Sequence, residues 1–360
     1  MPKVLVISAH RLNRSPSQRY RYEQYISYLK ENGYEFTFSP ILSERTDGIF
    51  YSQGNFIPKA FIVLNSVFTR IKDALRCDKF DIVFIQREAL FLGTTFFEKQ
   101  AYKSKAKVIF DFDDSIWLMD TSPGNKKWEW LKDPNKTKSN IMHAHLVIAG
   151  NAYLSDFAKG YNGNTILIPT TVDTETYKPK WDLRNKDVIT IGWSGSLSTL
   201  KHFEMAIPFL KKLKAKYGDK IAFKYIGDSN YKNAELNIVE TKWTAQNEIE
   251  ELNKFDIGIM PLPDDQWARG KCGLKGLTYM SCGIPTVMSP VGVNKQIVSH
   301  GENGFLASTD EEWINCLSQL IESSELRNKI GAAGRETVIK TYSVDANKEK
   351  YLNAFRSLVK

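Results

Sequence analysis

The residues best suited to chemistry lie in the stretch 270–285, which reads GKCGLKGLTYMSCGIP between two apolar, strand-like runs. The pattern predicts a strand, a glycine-bearing turn, a short helix and a second strand. The first N–H groups of such a helix have no partner within it, and Lys271 and Lys275 add positive charge. Gly270 and Gly273 have no Cβ that would keep an anion away from the backbone. The stretch predicts a phosphate site, although glycines that serve only turn and packing needs give the same pattern.

A second loop of this kind lies at 191–201, IGWSGSLSTLK. A strand is predicted to end before Gly195 and Ser196, and a helix to open with Thr199 or the serine before it as N-cap. Lys201 then falls in the first helical turn. Taken alone, an ordinary capped turn explains this loop as well as anion binding does. Two helix N-termini beside lysines would together suit a diphosphate.

Three carboxylates follow one predicted strand of the first half, at Asp111, Asp113 and Asp114. They could bind the hydroxyl groups of a ligand, with one carboxylate acting as a base. They could instead hold a divalent cation, because hard oxygen ligands cluster there. A helix N-cap in a solvated acidic loop is the structural alternative.

Histidine and arginine side chains follow the first predicted strand. His10 ends that strand, and Arg19 and Arg21 lie in the segment after it. An arginine there could bind a phosphate group through two parallel hydrogen bonds. A charged face on a surface helix is an equally good reading of the arginines, and a structural role is favoured for His10.

The elements that must position these residues alternate strands with helices, which predicts doubly wound α/β domains. At 360 residues with 42% hydrophobic residues, two domains with their own cores are expected. We predict domains at 1–172 and 173–342, and a C-terminal helix at 343–360 that packs back on the first domain. The predicted strands are 3–8, 34–39, 81–86, 106–111, 145–149, 165–169, 187–193, 221–226, 236–240, 255–260, 286–289 and 304–307. The main predicted helices are 56–77, 199–216, 245–253, 273–282, 310–322, 325–341 and 343–359.

The formal net charge of +8 favours an anionic partner, such as nucleic acid, an acidic membrane surface or a phosphorylated small molecule. No nucleic-acid-binding motif is visible. Four scattered cysteines, without a CxxC pair, predict reduced thiols in a cytoplasmic protein. No run is long enough to span a membrane, and no signal peptide is expected. The apolar residues of 56–77 are predicted to pack against the sheet, with a membrane interface as the alternative. The lysines of 211–216 form a basic helix surface that could meet acidic lipid, although a solvated face is the favoured reading.

An ordered set of motifs extends over most of the chain. In the second half it includes the loop 195–201, YIGD at 225–228, DIGIMP at 256–261, the stretch 273–287, SPVGVN at 289–294 and GENGFL at 301–306. In the first half it includes AGN at 149–151 and IPTTVD at 168–173. In this set the chain resembles the retaining glycosyltransferases of family four. The resemblance implies the GT-B fold, in which two doubly wound, Rossmann-like domains face a central cleft.

The resemblance implies a nucleotide-sugar donor held mostly by the second domain, without a metal or other cofactor. The amides of Gly273 and Leu274 would cradle the diphosphate, and Lys201 would neutralise it. The donor side would further include Gly195, Ser196, Gly227, Trp243, Lys271, Cys272, Lys275 and Thr278. Trp243 could stack on the base, although core packing is the favoured explanation for it.

The chain departs from the family pattern at three positions. The two family glutamates, of which the second usually holds the ribose, are Gly270 and Thr278 here. The family arginine ahead of the lysine is Ser196. These differences leave a non-catalytic nucleotide-sugar-binding relative and a GT-B epimerase as alternatives.

The sequence predicts a retaining transferase that moves a sugar from a UDP- or GDP-sugar to a hydroxyl of a glycan or lipid-linked acceptor. Lys201, Lys275 and Asp113 are the predicted catalytic residues. His10, Arg19, Arg21, Asp111, Asp113 and Asp114 are the predicted acceptor-side residues. The expected location is the cytoplasm, with peripheral contact to an acidic inner membrane face, and no nucleic acid is expected as a partner.

Overall fold

The computed structural model describes residues 1–52, 54–118, 127, 129–183, 187–227 and 230–359. The chain forms two compact units. The first comprises Met1–Thr170 with Asn347–Lys360, and the second comprises Thr171–Ala346. Each unit is built on one sheet flanked by helices.

The first unit contains a six-stranded sheet. Its strands are β1 (Lys3–His10), β2 (Glu35–Leu42), β3 (Ile82–Gln86), β4 (Lys107–Phe112), β5 (Leu146–Ala149) and β6 (Thr165–Leu167). Its helices are α1 (Pro16–Arg19), α2 (Ile26–Glu31), α3 (Glu44–Tyr51), α4 (Phe56–Arg76), α5 (Phe96–Lys103), α6 (Asn135–His143) and α7 (Ala152–Lys159). The strand order is β2-β1-β3-β4-β5-β6, with every pair parallel. The central strands are buried on both faces, which explains their continuous apolar sequences.

The second unit repeats this design with seven strands. They are β7 (Ile189–Ser194), β8 (Ile221–Gly227), β9 (Lys232–Asn233), β10 (Ile238–Lys242), β11 (Ile257–Met260), β12 (Thr286–Met288) and β13 (Phe305–Leu306). The helices are α8 (Leu200–Glu204), α9 (Ile207–Tyr217), α10 (Glu248–Leu252), α11 (Gln266–Arg269), α12 (Leu274–Ser281), α13 (Asn294–Ile297), α14 (Asp310–Glu322), α15 (Ser324–Thr337) and α16 (Val344–Arg356). The strand order is β13-β12-β11-β7-β8-β10-β9, and only the β9–β10 pair is antiparallel. The order reverses beside β7, so the carboxyl ends of β7, β8 and β11 are the expected ligand-binding edge.

The last helix, α16, begins in the second unit and continues into the first. Within the first unit, Tyr351 stacks on Tyr25 with ring centroids 4.1 Å apart. Phe355 makes an edge contact with Tyr34 at 5.5 Å. Both α16 aromatic rings are buried, so the end of this helix completes the core of the first unit.

The helix predicted at 199–216 is instead two helices, α8 and α9. Pro208 occupies the first turn of α9 and has no N–H to donate to the preceding turn. The break at 205–206 therefore follows from the proline. The short helix α11 was not predicted, because four residues carry too little periodicity to be recognised.

The prediction that the apolar residues of α4 pack against the sheet was wrong. Phe61, Leu64, Phe68 and Leu75 are exposed, whereas Arg70 on the same helix is fully buried. Among the described residues, no helix is both long enough and apolar enough to cross a membrane.

Candidate functional site

The predicted glycine-bearing turn of the second unit leads into α12. Gly273 is the N-cap of this helix and has a φ of 71°, in the left-handed region that favours glycine. A Cβ on Gly273 would lie 2.3 Å from Cδ1 of Ile297, so the position is also closed to side chains by packing. Because glycine has no side chain to cap the helix, no N-cap side chain occupies the first-turn N–H groups of α12. At its other end, Gly283 has a φ of 64° and forms the predicted C-terminal cap.

The ends of three neighbouring strands meet beside this helix. The Gly195 N–H donates to the carbonyl of Ile226 at 2.9 Å, and the Trp243 N–H donates to the carbonyl of Gly227 at 2.7 Å. A Cβ on Gly195 would lie 2.2 Å from the Trp193 ring, so that loop runs directly over the indole. The predicted donor-side positions at the ends of β7, β8 and β10 are thus brought together. Asp228, which was part of the sequence motif here, lies outside the described residues.

Tyr279, in the last turn of α12, ties this helix to the end of β7. The Ser194 N–H donates to its buried hydroxyl oxygen at 2.8 Å. On the same helix, Lys275 Nζ lies 5.1 Å from the centroid of the Trp193 ring. The beginning of α12 and the loop after β7 therefore lie side by side, as a shared anion site requires.

His202 lies among three lysines at this edge of the sheet. Its ring is 3% exposed, and its Nδ1 has no hydrogen-bond partner among the described residues. Burial, together with the charges of Lys275, Lys271 and Lys201, lowers the pKa of His202 to about 4. His202 is neutral at physiological pH, so the site's positive charge resides on the lysines.

The lowered pKa of His202 makes the stability of the fold depend on pH. Its pKa is about 4 in the folded chain and 6.5 as its ordinary value, so the unfolded chain binds the proton more readily. Stability should therefore fall as the pH drops from 6.5 to 4, by at most about 3 kcal/mol. His202→Gln, which cannot titrate, should flatten the melting temperature over that range. His143→Gln, at the end of α6, is the control and should keep the wild-type slope, and an unchanged slope in His202→Gln would contradict the assignment.

The second predicted helix N-terminus, that of α8, is a weaker anion site than expected. Leu197–Thr199 form a 3-10 turn and α8 has only five residues, so the aligned peptide dipoles are few. The predicted serine or threonine side-chain cap is also not formed, because the Thr199 hydroxyl donates to the carbonyl of Ser196. Lys201 is exposed on α8, and Ser196 is exposed in the loop before it. The diphosphate site expected from two helix starts thus reduces to one helix start with lysines around it.

Thr278 uses its hydroxyl proton within its own helix. It is 5% exposed, and its Oγ1 donates to the carbonyl of Lys275 at 2.8 Å. Thr278 could therefore meet a ribose hydroxyl only as an acceptor, and its place on the donor side stays a prediction. Cys272, Leu274 and Trp243 are half-buried around the site, as is Lys271, whose Nζ lies 5.2 Å from the centroid of the Trp267 ring.

In the first unit, the structure adds Arg87 to the predicted acidic loop. Arg87 Nε is 2.8 Å from Asp113 Oδ1, and its Nη2 is 3.7 Å from Asp114 Oδ2. Arg87 has a φ of 61°, which is uncommon for a residue with a side chain and marks local strain. It directly follows β3 as Asp113 follows β4, so a charged residue at a strand end was the sequence signal for it.

Two predicted acceptor-side residues are interior instead. Arg21 and Asp111 are fully buried and form two hydrogen bonds, Nη2–Oδ1 at 2.6 Å and Nε–Oδ2 at 3.3 Å. Arg21 also donates to the carbonyl of Ile168. Burial raises the pKa of Asp111, and the guanidinium opposes that shift. The prediction that Arg21 and Asp111 directly contact a substrate phosphate or sugar was therefore wrong. The pair instead joins β4 to the segment after β6.

His10 belongs to a cluster at the end of β1. Its Nε2 is 3.1 Å from the Tyr51 hydroxyl and its Nδ1 is 3.6 Å from Asp47 Oδ1. Asp47 also pairs with Arg14. Burial alone would raise the pKa of Asp47, but hydrogen bonds and charge from His10 and Arg14 lower it to about 2. Arg19 is half-buried, with its guanidinium 5.1 Å from the Tyr20 ring centroid.

No cluster of three or more histidine, cysteine, aspartate or glutamate residues with metal-binding geometry occurs in the described part of the chain. Asp113 and Asp114 both lie beside Arg87, whose positive charge competes with a cation. The residues after β4 thus suit hydroxyl recognition better than metal binding.

Residues 188–323 match the family model described as glycosyl transferases group 1. This segment contains the α12 stretch and the three lysines. No curated protein sequence matches the chain.

Solved glycosyltransferase structures match the chain over its whole length. A glycosyltransferase from Rickettsia africae has a TM-score of 0.70 at 17% identity, covering 99% of this chain and 98% of its own. Sucrose-phosphate synthase from Thermosynechococcus elongatus has a TM-score of 0.72 at 13% identity, covering 99% of both chains. HepE from Anabaena, solved with UDP-glucose, has a TM-score of 0.68 at 13% identity, covering 99% and 100%. These likenesses confirm the predicted GT-B fold.

Proposed function

We propose that this chain, a group 1 glycosyltransferase of the GT-B fold, transfers a sugar from a UDP- or GDP-sugar to a hydroxyl of a glycan or lipid-linked acceptor. The observation that carries the proposal is the arrangement around α12. A glycine N-cap opens that helix, and Lys201, Lys271 and Lys275 surround the neutral His202 beside it. The UDP-glucose bound by HepE supports a nucleotide diphosphate as the leaving group.

The proposed chemistry breaks the bond between the anomeric carbon and the diphosphate oxygen. The new bond joins the same carbon to the acceptor oxygen, and the acceptor proton passes to the departing phosphate. Negative charge develops on the diphosphate, where the amides of Gly273 and Leu274 and the ammonium groups of Lys201 and Lys275 would stabilise it. With no side-chain nucleophile identified, displacement on one face of the sugar would retain the anomeric configuration.

The first unit would supply the acceptor side. Asp113 lies at the carboxyl end of β4 and is 13% exposed in its side chain, so it can accept a hydrogen bond from a hydroxyl. Arg87 holds this carboxylate in place through the 2.8 Å contact. A lipid-linked acceptor would bring the enzyme to the cytoplasmic face of a membrane, which its net charge of +8 suits.

The proposal is tested first with ligands and then with turnover. UDP or GDP at about 100 times its Kd should raise the melting temperature by about 5 °C, whereas the free sugar should not. With the matching nucleotide sugar and an acceptor, NMR should show a product with the anomeric configuration of the donor. An inverted product would contradict retention.

Three further outcomes would contradict transfer itself. Binding without turnover, across a panel of glycan and lipid-linked acceptors, would identify a non-catalytic nucleotide-sugar-binding protein. A donor whose sugar changes without an acceptor would identify an epimerase. Failure of every nucleotide diphosphate to raise the melting temperature would remove the donor site.

A further inference from the structure

The outer side of α4 carries a continuous row of large apolar side chains. It is formed by Ile57, Phe61, Leu64, Phe68, Ile71 and Leu75, which we call the apolar face of α4. They recur at spacings of four and three residues, so they share one side of the helix. All six are exposed, with Ile57 at 73%, Phe61 at 68% and Leu75 at 81%. An exposed apolar surface of this extent marks an interaction site.

The opposite side of α4 is polar and is held firmly by the unit. Arg70 Nη1 donates to Asp73 Oδ2 at 2.6 Å, and Arg70 Nη2 donates to the carbonyl of Ser8 at 2.8 Å. Lys59 donates to the carbonyl of Ser52. Turning the apolar face inward would break these buried bonds and expose the sheet. The buried hydrogen bonds on the opposite side of α4 therefore fix the apolar face in its exposed orientation.

The exposed charge within α4 is positive. Within α4, whose residues are all described, the only carboxylate is Asp73, which is buried and paired with Arg70 and Arg76. Lys72 is exposed beside the face, and Lys127 Nζ lies 5.7 Å from the Phe56 ring centroid.

The neighbouring helix α5 adds further exposed apolar and cationic side chains. It packs beside α4 and exposes Phe96, Lys99 and Lys103. The lysines of α9 differ from these, because each of the four contacts a carboxylate within 3.2 Å. Of these lysines, those of α4 and α5 thus offer more charge to an anionic partner than those of α9.

We propose that the apolar face of α4 binds an anionic lipid surface. The helix would lie in the plane of the interface with its apolar side chains among the acyl chains and its lysines at the head groups. Its 21 residues give a contact about 30 Å long. A second copy of the chain is a poorer occupant, because the lysines beside both faces would repel each other.

The position of α4 gives this contact a consequence for the acceptor. The helix begins after β2 and α3, so its first turn lies toward the carboxyl edge of the sheet, where Arg87 and Asp113 also lie. Membrane binding would bring that edge close to the lipid surface. This consequence rests on the proposed function, whereas the vesicle experiment does not.

The test is sedimentation with vesicles of phosphatidylcholine alone or mixed with phosphatidylglycerol. The full chain should pellet with the mixed vesicles and remain in solution with phosphatidylcholine alone. Phe61→Gln/Phe68→Gln should bind the mixed vesicles at least about tenfold more weakly, since two apolar side chains leave the bilayer. Lys72→Glu should weaken binding about fivefold or more, and added salt should reduce that difference.

The matched control is Met142→Gln/Leu167→Gln, which removes two other exposed apolar side chains from the same unit. Its vesicle binding should equal that of the wild type, and its melting temperature should match that of the α4 variant. Equal loss in both variants, or a wild-type chain that does not pellet with anionic vesicles, would overturn the proposal. So would a wild-type dimer that Phe61→Gln/Phe68→Gln dissociates, because the face would then bind a second copy.

Discussion

Lys201→Ala should lower kcat/KM for the nucleotide sugar by about 100-fold, which corresponds to about 2.7 kcal/mol of lost transition-state stabilisation. The ammonium group would interact most strongly with the diphosphate as it gains charge, so most of the loss should appear in kcat. Steady-state kinetics with the donor identified by thermal shift measure both constants. The melting temperature should not change, because Lys201 is exposed and outside the core.

Lys212→Ala is the matched control. This lysine is also exposed, on the neighbouring helix α9, and pairs with Asp310 at 2.9 Å. Its removal should leave kcat/KM within about twofold of the wild-type value, since a surface ion pair contributes little. If Lys201→Ala kept full turnover, or if both variants lost activity equally, Lys201 would have no specific role at the diphosphate.

The arrangement of charges explains why one side chain could matter so much. Lys201, Lys271 and Lys275 all disfavour a proton on His202, which shows that their fields overlap at one place. A neutral imidazole there avoids adding a fourth cation to the group. The site thus combines concentrated positive charge with a buried polar ring, as a dianionic leaving group requires.

The alternation of strands and helices and the α12 stretch could be predicted because they depend on local signals. Gly273 and Gly283 both adopt positive φ at the two ends of α12, and the apolar runs on either side became β11 and β12. Backbone requirements of this kind are written in single residue types. The family resemblance then added the order of motifs along the chain, and the group 1 match to 188–323 agrees with it.

Side-chain partners could not be predicted, because they depend on tertiary contacts. Thr278 has the right type for a ribose contact, but its hydroxyl bonds within its own helix. Arg21 has the right type for a phosphate, but Asp111, ninety positions away, occupies it. Periodicity alone gives α4 an apolar side without saying which way that side turns, and the buried Arg70 decides this. Arg87 was missed although it follows a predicted strand, because its pairing with Asp113 is visible only in the structure.

Gly273→Ala should lower kcat/KM by about 100-fold and also lower the melting temperature. A side chain at a φ of 71° is strained, and its Cβ would lie 2.3 Å from a methyl group of Ile297, which is buried and has little room to move. Relief of this contact would displace the first amides of α12 by a fraction of an ångström to an ångström, and such displacements cost about 100-fold in rate.

Gly301→Ala separates backbone strain from this displacement. Gly301 has a φ of 80° in the same unit, but a Cβ there would meet nothing within 4 Å. Both variants should lose about 1 kcal/mol of stability from the left-handed backbone, and Gly273→Ala should lose about 1–3 kcal/mol more from the close contact. Only Gly273→Ala should reduce the rise in melting temperature that UDP or GDP produces. If the two variants retained equal donor affinity and equal turnover, the start of α12 would not hold the diphosphate, and the anion site would have to be placed on the lysines alone.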